Sequence, residues 1–434
     1  MHSSMKQKTL WLSSVLNFLL LVLLLALPRL SVAQSHFELT PYLSFTEEYD
    51  DNLFLSSANE KSAYITMVSP GLSLSLLKQS MQLELDYAPT FVWYSENDID
   101  SNVRHSGTLT FTQSLAEHLR FDLTDTVLRS DDPLEDTEDV EGIRNTREQY
   151  LRNTGRASLS YLFGPENILT GGYEHGYLKN DDDSEDNGRT QKPFVNVSYQ
   201  INEENRIVLE YGYVMADFWR DDSSVADDDY TGHEPGIRYL YSFTPHTTGS
   251  LGYRLATRRF DQNITFEDYK VHEGLLGFEH AFSPDLTASA EAGFFIQERD
   301  HSDDETGFVY NASVSKQFER GRILIGGSGG YDEAYLEAES RGFTRYQSIN
   351  TSAEYQILEP LTLYAGGSYR HDKDEDNQEW ETSRGNCGLR WEFLRWFFLS
   401  LDYTYAERDD DVDVDDYRVN RVSLILTASR LYRW

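Results

Sequence analysis

The sequence predicts a transmembrane antiparallel up-and-down β-barrel of about 18–20 strands. Three observations support this fold class: polarity alternates with a period of two residues, two kinds of connection alternate along the chain, and aromatic residues cluster near segment ends. A strand with one apolar and one polar face suits a barrel wall that has lipid outside and water inside.

The alternation is explicit in single segments. Met81, Leu83 and Leu85 fall on one face, while Glu84 and Asp86 fall on the other, because successive side chains of a strand point to opposite sides. Segments 286–297 and 397–406 repeat the pattern. A soluble β-sandwich could show the same period, but its strands usually have about five or six residues. The longer segments here favour a membrane barrel.

The connections between segments fall into two classes. Short turns are expected at 78–80, 116–118, 164–167, 202–205, 245–246, 283–285, 320–321, 359–360 and 395–396. Longer, acidic loops are expected near 50–62, 96–103, 130–147, 180–189, 220–229, 261–267, 300–305, 338–342, 372–379 and 408–416. Bacterial barrels carry short turns on the periplasmic rim and longer loops outside, and their strand number is even.

The first 33 residues have the features of a signal peptide. Lys6 and Lys8 precede an apolar run over 10–27, and Ser31 and Ala33 place small residues at a cleavage site. We therefore predict a signal peptide at 1–33 and one barrel domain at 34–434; a permanent anchor is the alternative, because the apolar run is long. No later run could form a spanning helix, so only a closed barrel could cross the membrane.

Composition narrows the possible functions. The chain has 38 Lys and Arg against 73 Asp and Glu, a net charge of -35, which argues against binding nucleic acid. The 28 Tyr, 23 Phe and 7 Trp argue against disorder. Cys387 is the single cysteine, so no disulfide can form within the chain, and we expect a free thiol that is buried or faces the lumen.

The chain ends on a strand with a terminal aromatic residue. Its apolar face is formed by Val422, Leu424, Leu426, Ala428, Tyr432 and Trp434. The pattern, with Tyr432 and Trp434 at its end, resembles the signal that outer-membrane proteins present to the barrel-assembly machinery. Arg430 interrupts the apolar face, and Trp stands where Phe is commoner.

The start of the predicted mature chain carries a more specific resemblance. The segment PYLSFTEEYDDNLFL at 41–55, followed by SPGLSL at 69–74, is similar to the opening of the putative β-barrel porin 2 family. That resemblance implies an outer-membrane pore of a Gram-negative cell. It also implies, for some members, an exit port for secreted polysaccharide beside a periplasmic polysaccharide export protein. The family has no catalytic residues to carry over, so no enzyme activity is expected.

Charged residues on the predicted polar faces are the candidate lumen residues: Glu84, Asp86, Arg120, Asp122, Glu210, Arg254, Arg258, Glu291, Arg370, Asp402 and Arg421. They could simply form salt bridges that hold water in the barrel, or they could line a solute path. Tyr94, Phe295 and Tyr364 are also predicted to point inward, where aromatic faces could contact sugar rings.

Two further motifs were considered as sites. Asp411, Asp413 and Asp415 are weak candidates for binding a divalent cation near lipopolysaccharide, but the segment lacks the glycine and glutamate of a calcium loop. Residues 326–330, GGSGG, fit the spacing of a nucleophile elbow, yet no helix follows them. We interpret these glycines as a close approach of the wall to the lumen contents. No cofactor is expected.

The favoured function is a passive exit port for a polysaccharide in the outer membrane, in contact with lipid and lipopolysaccharide. A general diffusion porin for small solutes and a structural or adhesive barrel with acidic loops are the alternatives. A barrel of sixteen to eighteen strands already encloses an aqueous channel. Because the longest predicted loop, near 130–147, is short for a plug, we expect a lumen wide enough for a sugar chain unless loops or side chains fill it.

Overall fold

The computed structural model describes residues 36–96, 99–135, 147–220, 229–261, 266–336, 342–375, 377–412 and 415–434. The predicted signal peptide lies outside these residues and stays a prediction. No helix in the described part of the chain is long and apolar enough to cross a membrane.

The described chain is built of strands of 12 to 17 residues and one terminal two-residue strand. The strands are β1 (His36–Asp50), β2 (Ala63–Lys78), β3 (Met81–Tyr94), β4 (Asn102–Ala116), β5 (Leu119–Ser130), β6 (Tyr150–Leu162), β7 (Ile168–Asn180), β8 (Asn187–Gln200), β9 (Asn205–Trp219), β10 (Tyr230–Thr244), β11 (Thr247–Phe260), β12 (Tyr269–Ser283), β13 (Leu286–Arg299), β14 (Glu305–Phe318), β15 (Gly321–Ala334), β16 (Gly342–Leu358), β17 (Leu361–Lys373), β18 (Glu379–Leu394), β19 (Phe397–Asp410), β20 (Tyr417–Ser429) and β21 (Tyr432–Arg433).

Each strand pairs antiparallel with the next, and β20 pairs with β1 to close the barrel. The short β21 extends this seam, because Tyr432 lies opposite Leu39 and the backbone of Trp434 exchanges hydrogen bonds of 3.0 and 3.1 Å with Phe37. The result is a closed barrel of twenty strands, which confirms the predicted fold class. Closure gives every strand of the ring a partner on both sides, although Glu305–Val309 of β14 pair only with β13.

The two classes of connection lie on opposite rims. The short turns, such as 79–80 and 245–246, join one set of strand ends, and the longer loops, such as 51–62 and 131–149, join the other. Both described chain ends lie on the short-turn rim. We call the opposite side the loop rim.

The outer face of the wall is apolar. In β12 and β14 the outward Leu276 and Phe308 are 66% and 70% exposed, whereas the neighbouring Glu273 points inward and is buried. Side chains that are exposed on an isolated barrel contact lipid in the membrane. Cys387 also lies on this face, opposite Ala365 and Tyr403, and is exposed. The thiol is therefore free, as predicted, but its predicted burial or lumenal position is wrong.

A belt of paired aromatic and polar side chains lies on the outer face toward the loop rim. The Tyr87 hydroxyl shares a hydrogen bond of 2.8 Å with the imidazole of His105, and Tyr211 shares one of the same length with His233. In both pairs the histidine lies on the strand that follows the tyrosine's strand. It is two residues closer to the loop rim than the residue directly opposite the tyrosine. Amphipathic side chains at this level are typical of the membrane interface.

Candidate functional site

The lumen is the candidate functional site, and its wall carries all the predicted candidate residues. By strand alternation and cross-strand contacts, the following lie on the inner face: Glu84, Asp86, Arg120, Asp122, Glu210, Arg254, Arg258, Glu291, Arg370, Asp402 and Arg421. Whether they form a solute path stays a prediction.

Many of the inward charges are paired along the wall. Arg120 contacts Asp122 at 2.7 Å, and Arg254 contacts Glu273 at 2.7 Å. Glu291 lies 3.1 Å from a guanidinium nitrogen of Arg238. Ion pairs that stay hydrated and partly exposed contribute little to the free energy of folding, at most about 1 kcal/mol each. Their effect is to leave a hydrated wall with mixed charge.

Between these charges the wall carries hydroxyl groups that bond across neighbouring strands. Their oxygen–oxygen distances are 2.8 to 3.0 Å in the pairs Ser44–Thr427, Ser69–Thr90, Ser160–Thr170, Ser289–Ser313 and Ser328–Ser348. We call this set the hydroxyl band. A hydroxyl can both donate and accept, so the band can exchange hydrogen bonds with water or with a hydroxylated solute without carrying charge.

At the loop rim, the segment after β5 folds back into the lumen and is held by buried charges. Asp132 accepts bonds of 2.8 and 3.0 Å from Arg421 on β20, and Asp131 accepts one of 2.6 Å from Arg104 on β4. Arg147, just before β6, lies 3.3 Å from Asp50 on β1. We call Asp50, Arg104, Asp131, Asp132, Arg147 and Arg421 the charged knot.

The charged knot has three carboxylates and three guanidinium groups, each at most 10% exposed in its side chain. Burial alone would raise the pKa of the Asp132 carboxyl, but Arg421, Arg147 and Arg104 outweigh it and hold that pKa well below its ordinary range. The Asp132 carboxylate therefore stays ionised and holds the loop to β4 through Arg104, to β20 through Arg421 and to its own far end through Arg147.

A second segment enters the lumen from the opposite side. Pairing between β14 and β15 ends at Tyr310 and Gly329, whereas pairing between β15 and β16 continues to Ala334 and Gly342. Beyond Gly329, β15 therefore separates from β14, while β16 stays paired with β17 as far as Arg345 and Lys373. We call residues 330–336 and 342–344 the inner hairpin.

Aromatic packing holds the inner hairpin against the wall. The ring of Tyr335 lies 5.2 Å from that of Tyr230, and the ring of Phe343 lies 5.8 Å from those of Tyr269 and Phe295. All five side chains are at most 6% exposed. Burial raises the pKa of the Tyr335 hydroxyl well above its ordinary value, so it stays neutral. The largest hydrophobic cluster of the described chain thus lies inside the lumen near the loop rim.

The end of the inner hairpin reaches the far wall. Arg152 on β6 donates a bond of 3.1 Å to the carbonyl oxygen of Leu336. The Leu336 side chain lies against Gly176 on β7 and Gly188 on β8, where an added Cβ would approach it to 2.9 Å. These strands lie nearly opposite β15 and β16 in the ring of strands. The hairpin therefore crosses the lumen, so loops and side chains do fill part of it.

A cavity of about 480 Å³ lies between the inner hairpin and the wall. Its charged lining residues are Arg156, Glu174, Lys192, Glu234, Arg258 and Glu333, and its neutral lining includes Thr124, Thr126, Thr154 and Thr190. The charges compensate one another: Lys192 lies 2.7 Å and Arg258 2.6 Å from Glu234. This cavity is a polar space large enough for a small solute.

The other predicted groups have structural partners. Tyr94 donates to Asp131 and Tyr364 donates to Asp402, while Phe295 is buried in the aromatic cluster and has no ring face open to a sugar. Asp411 accepts a bond from the Glu379 amide. Asp415 lies in the same loop, and Asp413 lies outside the described residues. Within the described chain, no three His, Cys, Asp or Glu side chains form a group suited to a metal.

The residues that narrow the lumen were missed from the sequence, except for Arg258 and Arg421. Asp131 and Asp132 read as part of an acidic loop, and Tyr335 and Phe343 as an ordinary connection. One signal was present: the glycines at 326–330 precede the point where β15 leaves the wall.

Comparison with known proteins agrees with this architecture. Residues 221–430 match the sequence model of the family described as Putative beta-barrel porin 2. Over these residues the chain resembles that porin family. The match confirms the family resemblance, although it covers the carboxy-terminal half and not the opening motif. The chain is accordingly an outer-membrane, multi-pass β-barrel with a porin-like channel.

Two solved structures show the same fold at low sequence identity. The siderophore receptor PirA from Pseudomonas aeruginosa has 9% identity and a TM-score of 0.51, over 92% of this chain and 80% of that one. The siderophore receptor PiuA from Acinetobacter baumannii has 10% identity and a TM-score of 0.53, over 92% and 82%. At this identity they support only the barrel fold. No curated protein matches the sequence.

Proposed function

We propose that this barrel is the outer-membrane exit channel for a secreted polysaccharide. The observation that carries the proposal is the hydroxyl band. Sugars present many hydroxyl groups, and the Ser and Thr side chains of the hydroxyl band can exchange hydrogen bonds with them where the band lines the wall. Because these neutral contacts are individually weak, of order 1 kcal/mol net, a chain can slide past them without being held.

The wall charges are compatible with a neutral polymer. They occur in both signs and are largely paired, as in Arg120–Asp122 and Arg238–Glu291, so they attract water more than they attract an ion. Short turns of bacterial barrels face the periplasm. We propose that a periplasmic polysaccharide export protein delivers the polymer to this rim, and that lipopolysaccharide surrounds the loop rim. The proposal includes no catalytic step, cofactor or nucleic acid.

The second candidate is a diffusion porin for small solutes. The 480 Å³ cavity beside the inner hairpin supports it, because a space of that size with compensated charges could pass a small hydrated solute while the hairpin stays in place. The two functions differ in what must cross, a chain or a small molecule.

A gene deletion distinguishes them. In the producing cell, deletion should abolish surface polysaccharide and leave growth on small nutrients unchanged. Expression of the wild-type barrel should restore the polymer, and an unrelated diffusion porin at the same level should not. Normal surface polymer with slower nutrient uptake would favour the diffusion porin. Normal polymer with no conductance by the purified barrel would favour a structural or adhesive role.

A further inference from the structure

We infer that the sector of the short-turn rim beside the closing seam binds the phosphate of an anionic phospholipid. The site is formed by Arg395 and Trp396 in the turn between β18 and β19, and by Arg430 and Tyr432 at the carboxy-terminal end of the chain. We call these four residues the turn-rim cluster. The inference goes beyond the proposed function, because it concerns the lipid around the barrel and not the solute inside it.

The turn-rim cluster reverses the charge of its rim. The short turns are mostly acidic, and carboxylates stand at Glu117, Glu166, Glu203, Asp285, Glu319 and Glu359. The turn at 395–396 carries an arginine and no acid. In a chain with a net charge of -35, this sector attracts anions, whereas most of the rim repels them.

One indole ring holds both cations of the cluster. The guanidinium carbon of Arg395 lies 5.8 Å from the centroid of the Trp396 ring, and that of Arg430 lies 5.0 Å from the same centroid. The Arg430 guanidinium carbon also lies 4.9 Å from the centroid of the Tyr432 ring. Stacking on a ring restrains a guanidinium group and leaves its N–H edges free, so less conformational freedom is lost when those donors bind an anion.

The N–H donors of the two arginines are available to a ligand. The nearby Arg433 lies 2.7 Å from Glu38, but neither Arg395 nor Arg430 pairs with a carboxylate within the described part of the chain. Both arginines are exposed, and Trp396 between them is 43% exposed. A guanidinium group presents its donors in a planar fork that matches the oxygens of a phosphate. Two such forks on one ring therefore suit a phosphate group.

The position of the cluster favours a lipid as the source of this phosphate. Arg430 lies on the outer face, and its amide donates a bond of 3.2 Å to the carbonyl oxygen of Pro41 on β1. Beside the cluster, Leu394 and Phe397 lie opposite each other and are 58% and 36% exposed. Short turns face the periplasm, and the periplasmic leaflet of an outer membrane consists of phospholipid. A headgroup bound here would place its acyl chains against these apolar side chains.

The turn-rim cluster also adjoins the seam that closes the barrel. Pairing of β20 with β1 stops at Ser429, and β21 resumes it at Tyr432. Arg430 lies in this break, whereas Arg395 lies in the turn before β19. A phosphate bound by both arginines links the last strands of the chain beside the seam. We therefore expect an anionic phospholipid to raise the Tm of the purified barrel.

Native mass spectrometry of the full, detergent-purified barrel tests the site, with phosphatidylglycerol and phosphatidylcholine of the same acyl chains as probes. The wild-type barrel should retain phosphatidylglycerol in preference to phosphatidylcholine. Arg395→Gln with Arg430→Gln should lower this preference by about 30-fold, between five- and sixfold for each cation. The matched control is Arg320→Gln with Arg322→Gln, which removes the same charge from another sector of the same rim and should leave the preference unchanged.

A second variant and a second readout support the test. Arg430→Lys keeps the charge but not the planar fork, so it should lose less of the preference than Arg430→Gln. Phosphatidylglycerol should raise the Tm of the wild-type barrel and of the control, but not that of the double variant. Heat-modifiable migration on gels shows that each variant is a closed barrel.

Three results would overturn the inference. The first is the absence of a lipid preference in the wild type, or the same preference in the double variant. The second is displacement of phosphatidylglycerol by inorganic phosphate at equal concentration, because the cluster would then bind a soluble anion. The third is a lower outer-membrane yield of the double variant with its lipid preference intact, which would assign the two arginines to barrel assembly.

Discussion

Removing the charge of Asp132 should release the loop between β5 and β6 from the lumen. In Asp132→Asn the shape of the side chain is kept, but three guanidinium groups then face the two remaining carboxylates of the charged knot. Breaking a buried ion pair by removing one partner costs about 3–5 kcal/mol. Since 1.4 kcal/mol is a factor of ten, the released population should rise by about 10²- to 10⁴-fold.

Limited proteolysis measures this release. The Arg147 side chain is only 3% exposed and donates a bond of 2.8 Å to the Leu53 carbonyl, so trypsin should cut after it slowly in the wild-type barrel. Cleavage at this bond, identified by fragment mass in purified barrels, should be much faster in Asp132→Asn. The matched control is Asp183→Asn, which alters an exposed loop carboxylate and should change nothing.

A double variant separates charge balance from general damage. Adding Arg421→Met to Asp132→Asn leaves two guanidinium groups against two carboxylates, so part of the protection should return. Wild-type protection of Arg147 in Asp132→Asn would refute the view that buried charge holds this loop. Loss of protection that the double variant does not reduce would show that packing, not charge balance, is decisive.

The Asp132 carboxyl group also makes docking of the loop between β5 and β6 depend on pH. Because the pKa of folded Asp132 lies below its ordinary value of 3.8, its contribution to loop docking is fully present above that value and is lost as the pH falls toward the folded pKa. Hydrogen exchange of the backbone amides at 131–135, corrected for intrinsic rates, should differ between wild type and Asp132→Asn. That difference should be constant from pH 8 to 5 and should shrink below about pH 4. A difference that grows on acidification would contradict the assignment.

Three further expectations concern topology, assembly and selectivity. A tag at Asp183 should bind antibody on intact cells and a tag at 202–205 should not. The reverse result would show that the barrel has the opposite orientation in the membrane. Deleting Leu431–Trp434 should cut outer-membrane yield sharply because the β1 seam loses its last pairs, while Trp434→Phe should keep it; equal yields would make the terminal signal incidental. Glu84→Gln should lower cation preference by no more than about fivefold, since one exposed charge is worth about 1 kcal/mol at 4 Å in water, and reversal potentials in a salt gradient measure it.

The sequence by itself determined the wall of this protein. Period-two alternation assigns Glu84 and Asp86 to the inside and Leu83 and Leu85 to the outside, because the direction of a strand side chain depends only on its position along the strand. The order of short turns and longer loops gives the up-and-down topology and the rims. These are local properties, so no knowledge of distant contacts was needed.

Only the tertiary structure decided what occupies the lumen. Asp132 and Arg421 are 289 residues apart, and both look like ordinary charged residues until barrel closure brings β20 beside β1. In the sequence, Tyr335 and Phe343 are as compatible with a surface loop as with a position inside the lumen. No local pattern predicts that β15 separates from β14 after Gly329. The bend depends on whether packing against five aromatic rings on other strands stabilises β15 more than continued hydrogen bonding to β14 would. That balance exists only once the barrel is closed.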